Sequence, residues 1–387
     1  MGEQSNVSSK TCVSNKNLQN KPLICFNNFE DKFLESKLED ICTFYKGKGI
    51  SKEDISPEGI PCIRYGELYT KYKENIESIF SKTNLPKETL VFSEKGDILI
   101  PTSGESAEDI ATASCLNRGG IALGSDITIL RTKINSLYLA YYINFKKNEI
   151  AKLAQGVSIV HLYPKDLKEY KIKYPSLEEQ EKVVNFLKLI DLKINSLEKT
   201  LGLYEKIEKH YIKKIYNNIS DGEKISLKNI FNVDSSNLSI NSLEENNGKY
   251  KLYGAEGVIK TIDFYEKMEP YISIIKDGAG VGRLNLCDAY SSSLGTLQNL
   301  VPKENLDINF LYFYLKTLNF QKYIVGSTIP HIYFRDYSKE KLSIPNIEKQ
   351  KNIGNFFIYF EKRNMLLNNK IGCLTNFKKY LLQNMFI

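Results

Sequence analysis

The chain has 387 residues, 42% of them hydrophobic, with 53 Lys plus Arg against 46 Asp plus Glu. That length suggests about two to three domains at ~150 residues each. The net charge of +7 permits an anionic partner without demanding one and excludes a histone-like composition, and no apolar run reaches the ~20 residues of a membrane span.

In chain order, residues 1–35 read as a tail and lead-in. The first twenty are polar and lack the apolar stretch of a signal peptide. Met1-Gly2 starts like a myristoylation motif but carries Asn6 where Ser or Thr is required. Residues 36–175 hold short β-like runs, Asp97–Ile100 and Ile127–Leu130, then an aromatic-rich helical piece, Ser136–Ile143. Residues 176–217 read as one long helix. Apolar residues fall at Val183, Leu187, Ile190, Ile194, Leu197, Leu201, Tyr204, Tyr211 and Ile215, a heptad seam broken at Glu208. Residues 218–345 are a linker and a second globule, with a strand at Tyr271–Ile275 and a helical piece at Asn309–Leu315. Residues 346–387 form a second long helix, with a seam of Ile353, Phe357, Phe360, Leu367, Ile371, Leu374, Leu381 and Met385 interrupted at Asn364 and Lys378. The seven cysteines are scattered, without CxxC spacing. They read as reduced, mostly buried thiols rather than a metal site.

The order globule, rod, globule, rod reflects an internal repeat. Gly156-Val-Ser-Ile-Val-His161-Leu-Tyr163 recurs as Gly326-Ser-Thr-Ile-Pro-His331-Ile-Tyr333. The same offset of 170 residues pairs Asp166 with Asp336, Pro175 with Pro345, Gln180 with Gln350 and Phe186 with Phe356. The globules open alike, with Leu38-Glu-Asp-Ile41 and Leu227-Lys-Asn-Ile230, but their middles diverge. A rod with one apolar stripe must bury it, and the economical partner is the other rod. Two equal units pair by symmetry as a dimer does, so the rods should pack antiparallel about centres near residues 199 and 369, bringing Tyr204 opposite Asn364.

From about residue 22 the chain resembles the specificity subunits of type I restriction-modification systems. The resemblance rests on Pro22–Phe26, Phe29-Glu30, Leu38–Ile41, Gly47-Lys-Gly49 and Ile60–Leu68. It continues through Gly96–Ile100, Pro175–Gln180, Lys249–Gly257, Ile274–Gly282 and Pro345–Gln350. Phe33 stands where that family usually has Trp. The resemblance implies two similar mixed α/β (α+β) target-recognition domains in tandem repeat, with two long helices forming an antiparallel coiled coil. Each domain would read half of a split site in double-stranded DNA. Two methyltransferase subunits and restriction/translocase subunits would be the partners, in the cytoplasm. S-adenosylmethionine, ATP and Mg would belong to those partners, and this chain would need no cofactor and catalyse nothing. The alternative is a coiled-coil protein-interaction scaffold that binds no DNA.

For a DNA reader, cations serve phosphates, and Arg, Asn, Gln, Ser or Thr serve base edges. The loop cations Lys46, Lys48, Arg64, Arg118, Lys276 and Arg283 fit, as do the loop hydroxyls Thr102, Ser103, Ser158, Ser292 and Thr328. For each one, a solvated surface residue is the competing reading. His161 and His331 read either as hydrogen-bonded histidines locking each globule to its rod or as DNA contacts. Gly278-x-Gly280-x-Gly282 follows a strand, but a dinucleotide fingerprint needs a helix next. It reads as a tight turn presenting backbone and Arg283 to DNA, or as a structural turn only. Asp166, Glu169 and Lys171 contain an ExK, yet the repeat copy has Lys339-x-Lys341 and loses the carboxylate a nuclease needs. No GxxxxGK[ST] run is present for ATP.

Overall fold

The computed structural model describes residues 22–26, 33–243 and 245–386. Cys12, Phe29-Glu30 and the leading tail lie outside these residues. The chain forms two compact units. The first contains the chain up to Asn195 together with the segment from Gly372 onward, and the second contains Ser196–Ile371. Each unit thus holds one globule and a portion of both long helices. The helices span Leu177–Asn217 (41 residues) and Ile347–Met385 (39 residues), about 60 Å each at ~1.5 Å per residue and longer than the heptad seams alone required.

In the first unit, a five-stranded sheet runs Cys42–Lys46, Ile127–Thr132, Asp97–Pro101, Ser114–Leu116, Asn75–Ile76. Its central strand, Asp97–Pro101, is buried along its whole length and pairs antiparallel with Ile127–Thr132, Ile129 opposite Leu99. Continuous apolar residues suit a strand covered on both faces. The one acid in it, Asp97, is held by Arg131 Nε at 2.9 Å. Ile60–Ile63 belongs to a neighbouring four-stranded sheet. A two-stranded ribbon pairs Leu34–Lys37 with Lys171–Tyr174 and ties the globule's start to its end.

The second unit repeats this plan with fewer strands. Its main sheet runs Phe231–Asp234, Leu297–Pro302, Tyr271–Ile275, Leu284–Cys287, with Tyr271–Ile275 as the fully buried centre. The ribbon recurs as Glu223–Ser226 with Lys341–Ile344. Leu38–Ile41 and Leu227–Ile230 are short helices in both copies.

The duplicated glutamine explains how each rod is fixed to its globule. Gln180 is buried, accepts from the Asn135 backbone N–H at 2.9 Å and donates to the Pro175 carbonyl at 2.8 Å. Gln350 does the same with Asp307 and Pro345 at 2.9 and 2.8 Å. Asn135 and Asp307 are the N-caps of the aromatic helices Ser136–Phe145 and Ile308–Leu315, so one buried amide side chain joins two helix starts.

Within each unit the two rods pair antiparallel. In the second unit Tyr204 meets Phe360, with ring centroids 6.1 Å apart, and Arg363 lies over its ring at 5.6 Å. The sequence placed Asn364 opposite Tyr204. Asn364 instead donates to Glu208 at 2.9 Å, so the register is that expected to within one turn. In the first unit the helices meet through Lys378, the repeat equivalent of Glu208, and Asp191, the repeat equivalent of Glu361. At its far end the first helix rotates off the heptad seam: Ile212 and Tyr216 are buried while Tyr211 is exposed. Tyr216 packs on Phe310 and Tyr314 at 5.2 and 4.5 Å. Phe386, its repeat equivalent, packs on Tyr138 and Tyr142 at 5.0 and 5.9 Å.

Cys42, Cys62, Cys115 and Cys287 are buried, and Cys25 and Cys373 are exposed. Burial pushes the Cys42 and Cys62 thiols up to about 11 and those of Cys115 and Cys287 up to about 12, which keeps them from acting as thiolates.

Candidate nucleic-acid interface

One end of each main sheet gathers most of the residues singled out by sequence. In the first unit the C-terminal end of Cys42–Lys46 carries Lys46, paired with Thr128, and then Lys48, whose N–H donates to the Leu123 carbonyl. Thr102 follows the central strand, and its N–H donates to the Asp126 carbonyl at 2.8 Å. The strand continues into Ser103–Gly104, which pairs with Val160–His161. Ser158 sits in the exposed loop just before His161. Arg64 follows the strand Ile60–Ile63, whose last carbonyl accepts from Gly124 at 2.9 Å. In the second unit Lys276, Arg283, Thr328 and His331 meet at the matching end. The Ile332 N–H donates to the Lys276 carbonyl, and the Gly278 N–H to the Pro330 carbonyl, each at 2.9 Å.

The duplicated histidines do not lock the globules to their rods. Each fastens a hairpin loop to the end of its central strand. His161 Nδ1 is 3.0 Å from Ser103 Oγ, and His331 Nδ1 is 2.7 Å from Asp277 Oδ1. Ser103 and Asp277 hold the same place in the two frames but differ in charge. Gly278, Gly280 and Gly282 all have positive φ and turn the chain directly into the strand Leu284–Cys287, with no helix for a dinucleotide. Arg283 is exposed at that turn, its Nε donating to the Gly280 carbonyl at 3.3 Å.

Ser292 is 0% exposed, lies in a strand paired with Leu252, and accepts from the Glu266 N–H, so it cannot reach a base. The Ser-rich run that looked like a loop is a buried strand. Ser103 is buried with its hydroxyl taken by His161 and positions that ring rather than meeting solvent. Arg118 is exposed but sits at the opposite end of the central strand, where Leu116 pairs with Asp97. Arg64 is half-buried, with its Nε enclosed and unpartnered. Its backbone N–H donates at 3.0 Å to Glu67, a carboxylate only 2% exposed that also takes Lys71 at 2.9 Å and Ser81 at 2.5 Å. Burial alone would raise the Glu67 pKa, but these hydrogen bonds outweigh it and hold it below the usual range. Arg64 therefore belongs partly to the fold.

Sequence reasoning missed Asp277, because nothing marks an acid as a histidine's partner across 54 residues. It also left unused the stacking of Tyr163 on His161 and of Tyr333 on His331, although both tyrosines stand in the repeat.

Two mixed α/β frames of one design, each ending in a cluster of polar loops and joined by long paired helices, define a duplicated recognition protein. The chain matches the family described as type I restriction modification DNA specificity domain twice, over residues 30–209 and 219–375, and belongs to that family. It is 26% identical to the type I restriction enzyme MjaVIII specificity subunit of Methanocaldococcus jannaschii, over 81% of this chain and 83% of that one. A relative from Mycoplasma pneumoniae, named as a type I specificity subunit, is 24% identical over 82% and 86%. The fold matches the crystal structure of a type I restriction-modification S subunit from M. genitalium with a TM-score of 0.73 and 19% identity, covering 95% of this chain and 99% of that one.

Proposed function

We propose that the chain selects the DNA sequence on which a type I restriction-modification complex acts, each globule reading one half of a split site. The observation that carries this reading is the pair of matching sheet ends: the frame is the same in both units, while the side chains on it differ. Lys46, Lys48 and Thr102 stand in one, Lys276, Asp277 and Arg283 in the other. Such a surface suits two different half-sites read from one scaffold. The rods set the separation of the halves and, with the globules, receive two methyltransferase subunits, to which the restriction/translocase subunits add. In this reading the chain contributes choice of sequence. S-adenosylmethionine, ATP and Mg chemistry resides in the cytoplasmic partners. A scaffold without DNA leaves the divergence of the polar ends without purpose.

The test is a swap of residues 36–175 for the equivalent globule of another family member, followed by methylation sequencing of cellular DNA. One half of the methylated site should change, while the other half and the gap stay. A methylation pattern that ignores the swap sinks the proposal.

A further inference from the structure

We propose that the duplicated hairpins at Gln155–His161 and Val325–His331 hold the sugar-phosphate backbone independently of sequence, through Lys165 carried on Tyr163 and Arg335 carried on Tyr333. The proposal rests on the DNA-reading function above and adds a division of labour to it.

The two hairpins are built alike. Gln155 and His161 exchange backbone hydrogen bonds at 2.9 and 2.8 Å, and Val325 and His331 at 2.9 and 2.7 Å. Gly156 and Gly326 have φ of 122° and 90°. A Cβ at either would strike a carbonyl oxygen, that of Ile159 at 2.2 Å or Ile329 at 2.5 Å, so both loops require glycine in the left-handed region. Beyond each loop comes the same stack. His161 lies 5.9 Å from Tyr163 at 27°, and Lys165 Nζ sits 5.5 Å over the Tyr163 ring. His331 lies 6.4 Å from Tyr333 at 18°, and the Arg335 guanidinium sits 5.0 Å over the Tyr333 ring. The tyrosines are 42% and 45% exposed; the Arg335 side chain is 81% exposed, its Nε 3.6 Å from Asp336 Oδ1 in a solvent-screened pair that a phosphate can replace.

The strand-end side chains beside these stacks differ between the units, Thr102 in one and Lys276 in the other, and the histidine's partner changes from Ser103 to Asp277. What stays the same cannot distinguish two half-sites. It fits what the half-sites share, which is the phosphodiester backbone. The chemistry agrees: an exposed cation steadied by an aromatic face, a loop hydroxyl (Ser158, Thr328) and backbone N–H groups are phosphate ligands. The competing occupant is the methyltransferase, since two identical subunits also call for two identical surfaces. DNA is favoured because each histidine anchors its stack to the end of the central strand, beside the divergent Thr102 and Lys276 rather than on a rod.

The experiment uses the full chain bound to its methyltransferase partner, with K165A/R335A and the conservative K165R/R335K. Three quantities are read: salt dependence of binding to a random-sequence duplex, the sequence selected from a random library, and co-elution with the methyltransferase. In K165A/R335A the slope of log K against log salt should become shallower by about 0.9 for each cation removed. The selected sequence and the protein complex should be unchanged, and K165R/R335K should keep the original slope. An unchanged slope with loss of co-elution would make the loops a methyltransferase dock. A relaxed base position would make them readers, and no change in any measurement would make them structural turns. Each of these overturns the proposal while the DNA-reading function stands, provided the unaltered complex selects a split site. If the unaltered complex binds no duplex, the function itself falls, and this proposal with it.

Discussion

Lys378 Nζ lies 2.8 Å from Asp191 Oδ1, across the two long helices of the first unit, and 2.9 Å from Glu74 of the globule. In the sequence Lys378 is a break in an apolar seam. In the structure it is a largely buried cation shared by two largely buried acids. Burial works against its charge, but Glu74 and Asp191 outweigh that and raise its pKa. Lys378→Met should leave Glu74 and Asp191 without their counter-charge, Asp191 keeping the Tyr141 hydroxyl, and cost about 3–5 kcal/mol, read by denaturant unfolding. Because the folded pKa is raised, this stabilisation is complete below the unfolded value near ~10.4 and is lost only as pH climbs through the folded one. The variant and the parent should therefore converge in stability in strong alkali and nowhere near neutrality.

The repeat equivalent of Lys378 is Glu208, and its setting in the second unit is the reverse. Burial raises the Glu208 pKa, Lys316 works in the opposite direction, and nearby Glu361 adds to the rise. A carboxyl with a raised folded pKa destabilises the fold wherever it is ionised. Glu208→Gln keeps an acceptor for Asn364 and should stabilise by about 0.5 kcal/mol at neutral pH, since solvent screens a half-buried group. The gain should vanish as pH falls below the ordinary Glu range near ~4.3. Thermal unfolding at pH 7 and pH 4 gives the comparison.

Gln180 and Gln350 each satisfy one helix cap and one proline carbonyl in the interior. Gln180→Ala should cost about 1–3 kcal/mol, because it leaves a half-buried N–H and a buried carbonyl without partners. Gln350→Ala should cost a similar amount. Hydrogen exchange should rise first at Leu137 and Tyr138 in the former variant, next to the uncovered cap.

Arg283→Ala should weaken DNA binding by about 1–3 kcal/mol if the guanidinium makes a bidentate base contact, with the melting temperature nearly unmoved, as for other exposed sites. Arg64→Ala should affect both binding and stability, since its site is continuous with the buried Glu67 network. Ser292→Ala should leave DNA binding intact. Binding titrations paired with melting curves separate the three.

The frame was legible in the sequence because burial writes itself as periodicity. The seams, the central strands Asp97–Pro101 and Tyr271–Ile275, and the 170-residue repeat all come from apolar residues meeting apolar residues. The rod register came within one turn, but the sequence could not tell that Asn364 would turn to Glu208 and leave Tyr204 to Phe360. The polar ends were less legible. Arg118 and Lys46 are alike as loop cations, and only strand pairing places them at opposite ends of a sheet. Ser292 fails for a related reason, since serines also line a buried strand when backbone groups can satisfy them. The pairing of Asp277 with His331 depends on a contact between distant segments, which no local pattern records.

If the rods measure the gap and the globules read the halves, a four-residue insertion at Leu197 should move the gap alone. The insertion adds about 6 Å of helix at ~1.5 Å per residue and introduces a stutter that locally unwinds the coiled coil without abolishing it. On B-DNA, at about 34–36 Å per turn of 10–10.5 bp, that is close to two base pairs. Methylation sequencing of DNA from cells carrying the insertion should find the gap between half-sites shifted by one or two base pairs and both halves unchanged. A fixed gap with altered bases inside a half-site would contradict it.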